Sequence, residues 1–167
     1  ELIAIKDKFG DARRTELVEA EDEIVLEDLI ERHRCVITLT ESGYIKRLPA
    51  DTYNAQHRGG KGVRGMTTKE DDFVENVVAS GSHDFLMMFT NLGKVYTRKA
   101  YLIPESSRTA KGTNIVNILE LEAGEKITAI IPIDAFNSEE HLTMITRHGV
   151  IKRTSVAEYI YQRKNGK

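Results

Sequence analysis

The 167-residue sequence has no tryptophan, only one cysteine and three prolines, and no apolar run long enough to cross a bilayer. Its first residues do not place a basic stretch before an apolar one, so we expect no signal peptide. The single Cys35 excludes an internal disulfide, and its apolar neighbours predict a buried structural thiol. Without an internal disulfide, the chain is suited to a reducing cytoplasm. At 40% hydrophobic residues it can still bury a core.

Motifs for catalysis and for metal binding are also lacking. The five histidines (33, 57, 83, 141 and 148) lack metal-ligand spacing, and the acids of 19–31 lack the spacing of a calcium loop. Neither a G-x-S-x-G nucleophile motif nor a G-x-x-x-x-G-K-[ST] phosphate loop is present. We therefore expect surface histidines, a solvated acidic connector, and no catalytic residue, metal ligand or cofactor site.

What the sequence does contain is one short pattern in three copies, beginning at Val36, Leu86 and Leu142. Each copy has β-prone residues on both sides of a turn, and the turns contain Gly43, Gly93 and Gly149. Such a pattern predicts β-hairpins in which glycine supplies a positive φ. The glycines are 50 and 56 residues apart, a period typical of stacked or radial repeats.

Two further β-prone runs, at 73–79 and 127–133, give each unit about four strands, which is one blade of a propeller-like fold. Apolar residues at helical spacing predict a helix confined to about residues 1–15. We thus expect an all-β fold of incomplete blades with a short N-terminal helix. The predicted organisation is a helical segment at 1–20, an acidic connector and first strand at 21–34, and about two blades plus part of a third at 35–167.

Positive charge is concentrated in the repeats. Windows 43–64, 92–112 and 147–167 contain 16 of the 24 Lys and Arg residues and three of the 26 acids. The windows therefore have a net charge of about +13, while the rest of the chain has about −15. Because solvated surfaces usually mix both signs, this segregation favours a polyanion as partner, bound through its phosphates with little reading of bases.

The strongest local motif lies in the first window and consists of Gln56, His57, Arg58, Gly59, Gly60, Lys61 and Gly62. Paired glycines allow close approach of the backbone, while Arg58 and Lys61 offer contacts to phosphate. An ordinary glycine turn with solvated charges explains this motif equally well when it is taken alone. Recurrence favours a site: a lysine lies 18 residues after each turn glycine, and another base lies three residues before that lysine.

The candidate DNA-binding residues are the seven residues of this motif and the basic residues of the three windows. Those basic residues are Lys46, Arg47, Arg64, Lys94, Arg98, Lys99, Arg108, Lys111, Arg147, Lys152, Arg153, Arg163, Lys164 and Lys167.

These residues resemble the DNA gyrase A family across nearly the whole chain. The run 56–62 resembles the gyrase A box, although His57 stands where that box usually has arginine. The run 5–16 resembles the end of the breakage–reunion region, and 103–112 is similar to the family's second blade. The resemblance implies a β-pinwheel, in which blades exchange strands with their neighbours and the rim wraps DNA.

The same resemblance implies a function for the parent subunit. That subunit would form a heterotetramer with the B subunit of gyrase, and it would support ATP-dependent negative supercoiling in the bacterial cytoplasm, at the nucleoid. The cleaving tyrosine and the sites for ATP and Mg²⁺ would lie outside this sequence. Bending DNA costs several kcal/mol, so many phosphate contacts must offset it.

Two alternatives remain open. The A subunit of topoisomerase IV has a similar domain with a degraded box, whereas the glycines and Lys61 are intact here. A protein-binding propeller belongs to a different class of function. Aromatic-rich loops and an apolar patch would favour that function, whereas aromatics are only 7% of this chain.

Overall fold

The computed structural model describes residues 1–11, 26–52, 72–161 and 166, and within these residues the fold is almost entirely β. One α-helix, α1, spans Leu2–Phe9 and buries none of its residues. Nine strands follow it among the described residues. They are β1 Arg34–Thr40, β2 Tyr44–Pro49, β3 Val74–Gly81, β4 Phe85–Thr90, β5 Val95–Lys99, β6 Thr113–Asn114, β7 Ile127–Ile133, β8 His141–Ile145 and β9 Ile151–Ser155.

The strands form three antiparallel sheets, which confirms the predicted fold class. The first sheet has the order β3-β1-β2-β6, the second has the order β5-β4-β7, and the third is the hairpin β8-β9. In the first sheet β1 changes register against β3 at Thr40, and in the second sheet β4 changes register against β7 at Thr90. Both threonines are the last residue of their strand. The first two copies of the sequence pattern therefore have the same structure, including this bulge.

Strand β6 pairs outside its own repeat. It follows β5 in the chain, yet it pairs with β2 of the first sheet through Tyr44↔Asn114 and Ile45↔Thr113. The exchange of strands between neighbouring units, which the family resemblance implied, is present between the first two sheets. It ties the second repeat to the first by backbone hydrogen bonds.

Short 3-10 turns follow the second strand of every hairpin, at Ala50–Thr52, Ala100–Leu102 and Val156–Tyr159. Two more lie at Leu26–Leu29 and Ile115–Asn117. Within the described residues, helix is thus limited to α1 and these turns. None of the described helices is long and apolar enough to cross a membrane.

The core lies between the sheets, in two clusters that meet at β4. Leu86 and Met88 of β4 belong to a cluster shared with the first sheet, whereas Met87 belongs to one shared with the third hairpin. Successive residues of a strand point to opposite faces, and each face of β4 is covered by one of these clusters. All three side chains therefore have no exposed area. Cys35 is also fully buried, as predicted, and its thiol donates to the carbonyl of Ser80 at 3.4 Å.

Candidate nucleic-acid interface

The three hairpin turns share one geometry, built by a threonine and a glycine. Gly43, Gly93 and Gly149 have φ of 82°, 79° and 78°, values that favour glycine strongly. The amide of each glycine donates to the carbonyl of the threonine three residues earlier, at 2.9 to 3.1 Å. The threonine hydroxyl accepts in turn from the amide after the glycine, at 3.1 to 3.2 Å.

These threonines are Thr40, Thr90 and Thr146, and the sequence contains them at the same offset in every copy. From the sequence alone, these threonines have no predicted role. Their position, three residues before each glycine, was the signal that could have identified them.

Two buried carboxylates support the first two turns. Asp72 is 7% exposed and accepts from the amide of Ser42 at 3.0 Å, while Glu125 is 6% exposed and accepts from the Tyr96 hydroxyl at 3.2 Å. Burial alone would raise the pKa of Glu125. Hydrogen bonds from the Glu122 amide, Thr90 and Tyr96, together with the charge of Lys94, outweigh burial and hold that pKa below its usual value.

Lys46 and Arg47, both expected at the DNA, are not on the surface. Lys46 has no exposed area and Arg47 is 8% exposed. The Lys46 ammonium donates to the carbonyls of Ser107 at 3.2 Å, Arg108 at 2.5 Å and Ala110 at 3.0 Å. Burial lowers the pKa of this lysine. This placement corrects the expectation for both residues, because a buried side chain engaged with the backbone offers no surface to a phosphate.

Arg47 contacts the same stretch of chain, residues 103–112, which we call the junction segment. Its Nε donates to the carbonyl of Ile103 at 3.2 Å, and its guanidinium lies 3.3 Å from a carboxylate oxygen of Glu105. A second guanidinium nitrogen lies 3.0 Å from Nε2 of His33. Since arginine can only donate, Nε2 of His33 accepts in this contact.

The histidines, all expected at the surface, differ in their exposure. His33 and His83 are half-buried and hydrogen-bonded, whereas His141 and His148 are exposed. His57 lies outside the described residues. Within the part of the chain that the structure describes, no three His, Cys, Asp or Glu side chains are grouped to hold a metal ion.

The junction segment presents two candidate residues outward. Arg108 is exposed, and Lys111 is half-exposed with its ammonium 5.4 Å from the centroid of the Tyr44 ring. Gly112 ends the segment with φ of 85°, and a Cβ there would lie 2.5 Å from the carbonyl oxygen of Ile45. Only glycine fits this close approach to β2.

Two candidate cations of the second repeat are engaged in ion pairs. Lys94 lies 2.6 Å from Glu122, and that hydrogen bond raises the pKa of Lys94. Lys99 lies 2.8 Å from Glu27 of the acidic connector, and its ammonium is also 3.9 Å from the centroid of the Phe85 ring. Arg98 is half-exposed and donates to the carbonyl of Thr97 at 2.9 Å.

The third repeat presents its cations openly. Arg147, Lys152 and Arg153 are all exposed. The other candidates lie outside the described residues, and these are Gln56, His57, Arg58, Gly59, Gly60, Lys61, Gly62, Arg64, Arg163, Lys164 and Lys167.

Gly166 alters the alignment of the third repeat. It has φ of 84°, and a Cβ there would lie 3.1 Å from Cζ of Tyr96 and 3.3 Å from the Val95 carbonyl oxygen. It therefore approaches β5 as Gly112 approaches β2. Gly166 is 17 residues after Gly149, whereas Gly112 is 19 residues after Gly93, so the structural match of these two glycines differs by two residues from an alignment by sequence offset.

Comparison with known families gives a match along the repeats. The matching family is described as "DNA gyrase C-terminal domain, beta-propeller", and it covers residues 36–80, 84–134 and 140–167. The breaks between these three stretches fall between the three hairpin units.

Relatives in several bacteria are similar to the chain over almost all of its length. It is 53% identical to the A subunit of DNA gyrase from Clostridium acetobutylicum, 48% to that from Streptococcus pneumoniae R6 and 43% to that from Mycolicibacterium smegmatis. Each alignment covers 99% of this chain but 20% of the relative. The chain thus spans about a fifth of the length of these relatives.

Solved structures show the same fold. A DNA gyrase A C-terminal domain is 30% identical, with a TM-score of 0.63 over 75% of this chain and 41% of that one. A C-terminal domain of DNA topoisomerase IV is 26% identical, with a TM-score of 0.64 over 81% of this chain and 41% of that one.

Proposed function

Because the chain belongs to the DNA gyrase C-terminal domain family, we propose that it binds duplex DNA through the phosphates and bends it along its repeats. The observation that supports this most directly is the junction segment, whose backbone is held by β2 while Arg108 and Lys111 face outward. Arg58 and Lys61 follow Gly43 at the same offsets at which Arg108 and Lys111 follow Gly93.

Because Lys46 and Arg47 are buried, we exclude them from the proposed contacts to phosphate. The proposed phosphate contacts are the exposed cations of the described repeats together with the cations of the box and of residues 163–167. Lys94 and Lys99 contribute less, since each already has a carboxylate partner within 2.8 Å. Contacts to phosphate fix position and bend without reading sequence, so the binding should tolerate any duplex.

For the whole protein we propose the role that its relatives' name implies. The chain would be the DNA-wrapping part of a gyrase A subunit, which acts with the B subunit of gyrase in ATP-dependent negative supercoiling. Residues 1–20 would end the breakage–reunion region, and 21–34 would connect it to the blades at 35–167. Identities of 43–53% to proteins named as gyrase A subunits favour gyrase over topoisomerase IV.

A salt titration tests the binding. If about five phosphates are engaged, log K should fall against log salt with a slope of about −4 to −5. Two duplexes of equal length and unrelated sequence should bind within a few-fold of each other. A salt-insensitive affinity, or a strong preference for one duplex, would contradict the proposal.

A pair of double variants localises the contacts. Arg108→Ala/Lys111→Ala should reduce the magnitude of the slope by about 2, one for each phosphate that is no longer neutralised. Lys6→Ala/Lys8→Ala removes two exposed charges of α1, outside the basic windows, and should leave the slope nearly unchanged. Ligation of a nicked circle in the presence of the chain then reports bending, since wrapping changes the linking number of the product.

A further inference from the structure

We propose that Lys46 and Arg47 are positioning residues, which hold the junction segment so that Arg108 and Lys111 are presented to DNA. This inference rests on the proposed function and deepens it. It assigns to two buried cations of the first sheet the task of fixing two outward cations of the next repeat.

Lys46 holds the C-terminal half of the junction segment. Its ammonium donates to three carbonyls within four consecutive residues, those of Ser107, Arg108 and Ala110. The shortest of these bonds, at 2.5 Å, is to the backbone of Arg108 itself. Bonds from a charged donor are stronger than neutral ones, so the carbonyl of Arg108 is fixed while its side chain remains exposed.

Arg47 holds the N-terminal half through both its backbone and its side chain. Its amide donates to the carbonyl of Pro104, and its carbonyl accepts from the amide of Ser106, both at 3.2 Å. Its guanidinium reaches the carbonyl of Ile103 at 3.2 Å and the carboxylate of Glu105 at 3.3 Å. Two adjacent residues of β2 therefore contact nearly every residue from 103 to 110.

Gly112 closes the segment against the residue just before these two. Its close approach to the carbonyl of Ile45 leaves no room for a side chain. Lys111, one residue earlier, lies with its ammonium 5.4 Å from the Tyr44 ring, also on β2. The whole segment is thus shaped by four consecutive residues of the first sheet.

The second repeat shows that this position does not require a cation. Tyr96 lies three residues after Gly93, as Lys46 does after Gly43, and it is 1% exposed. Its hydroxyl has one hydrogen to donate, and it lies 3.1 Å from the carbonyl oxygen of Glu120 and 3.2 Å from the carboxylate of Glu125. Packing alone does not explain a buried lysine, because an apolar residue of similar volume often leaves a protein equally stable. What lysine adds at this position is an ammonium with three donors, which hydrogen-bonds three carbonyls of the junction segment.

The test compares local order with DNA binding in the 167-residue chain. Lys46→Met keeps the length of the side chain and removes its donors. We expect faster amide exchange across residues 103–112, with exchange in β4 unchanged. We also expect the magnitude of the salt slope to fall by about 1 to 2, although Lys46 touches no phosphate.

A double-variant cycle separates positioning from direct contact. In the Arg108→Ala/Lys111→Ala background, Lys46→Met should cause no further loss of affinity, since the cations that it positions are already gone. An additive loss would show that Lys46 contacts DNA itself and would overturn the proposal. Unchanged exchange in residues 103–112 would overturn it as well.

A second variant covers the case in which Lys46→Met does not fold. Arg47→Lys keeps the charge but loses the planar fork, and it should speed exchange at residues 103–106 and lower the slope by a smaller amount. Wild-type exchange and slope in this variant would overturn the proposal. Failure of the wild-type chain to bind DNA would instead refute the proposed function, while the exchange data would still decide whether Lys46 and Arg47 order the segment.

Discussion

Lys46 and Lys152 occupy the same place in their repeats, three residues after the turn glycine, yet only Lys152 is exposed. The junction segment covers Lys46, whereas within the described residues no segment pairs with β9 on its outer edge. The role of a repeated cation therefore depends on what its neighbouring unit places over it. For this reason, a count of charges in the sequence overestimates the number of cations that are available at the surface.

Glu125 gives a prediction at the same scale, in the dependence of stability on pH. Its pKa is held below the ordinary value of 4.5, so its contribution is complete above that value and is lost as pH falls through the lowered one. Glu125→Gln should lower the free energy of unfolding at pH 7 by about 1 to 3 kcal/mol and make its acid dependence shallower.

Urea titrations between pH 2 and 7 measure this effect. Glu139→Gln removes one exposed carboxylate with the same change in net charge, and it is the matched control. Equal effects in both variants would mean that the buried hydrogen bonds of Glu125 contribute nothing.

At the scale of the element, the close contact between Gly112 and β2 joins the first sheet to the second repeat. Gly43, Gly112 and Gly149 all have positive φ, but their surroundings differ. A Cβ on Gly112 would lie 2.5 Å from a backbone oxygen, whereas a Cβ on Gly149 would meet nothing within 4 Å. A side chain at Gly149 would therefore meet conformational strain alone, whereas one at Gly112 would meet both strain and a steric clash.

We predict that Gly112→Ala destabilises the chain by clearly more than Gly149→Ala. The latter should lower the free energy of unfolding by about 1 to 2 kcal/mol, the cost of a left-handed backbone for alanine. The former adds a backbone clash that only movement of β6 away from β2 can relieve. Thermal and urea unfolding measure both values, and similar losses would show that the junction is loosely packed.

At the scale of the whole molecule, the strand exchange between the first two repeats coincides with two outward basic side chains. β6 pairs with β2 across the repeats, and the junction segment that leads into β6 presents Arg108 and Lys111. Any bending of DNA along the repeats would depend on how rigidly one unit is fixed to the next. In the third hairpin, by contrast, Ile145 and Ile151 are 69% and 65% exposed, although Leu39 and Ile45 at the same places are buried.

The box belongs to this scale, and we predict that it matters more for bending than for attachment. Arg58→Ala/Lys61→Ala in the parent protein should abolish wrapping and supercoiling, while relaxation and cleavage remain largely intact. Two charges among the 16 of the basic windows should change affinity only modestly.

Supercoiling assays on the parent enzyme decide this point. Lys46 and Arg47 are unsuitable controls because they are buried. Lys152→Ala/Arg153→Ala removes two exposed charges of another repeat and is the appropriate comparison. Equal and mild losses in both double variants would mean that the box has no special role.

The sequence by itself determined the local structure. Turn glycines, alternating strands and the short helix follow from backbone preferences within a few residues, and Cys35 was predicted to be buried from its apolar neighbours alone. The segregation of charge was also visible without coordinates. These features required no knowledge of which distant residues would meet.

The tertiary structure alone decided what depends on neighbouring units. The burial of Lys46, the pairing of β6 with β2 and the match of Gly166 to Gly112 all arise from contacts between residues about 60 to 70 positions apart in the chain. A periodic pattern shows that positions are equivalent in sequence, but burial is set by the segment that packs over each one. The same lysine therefore orders a backbone in one repeat and faces solvent in another.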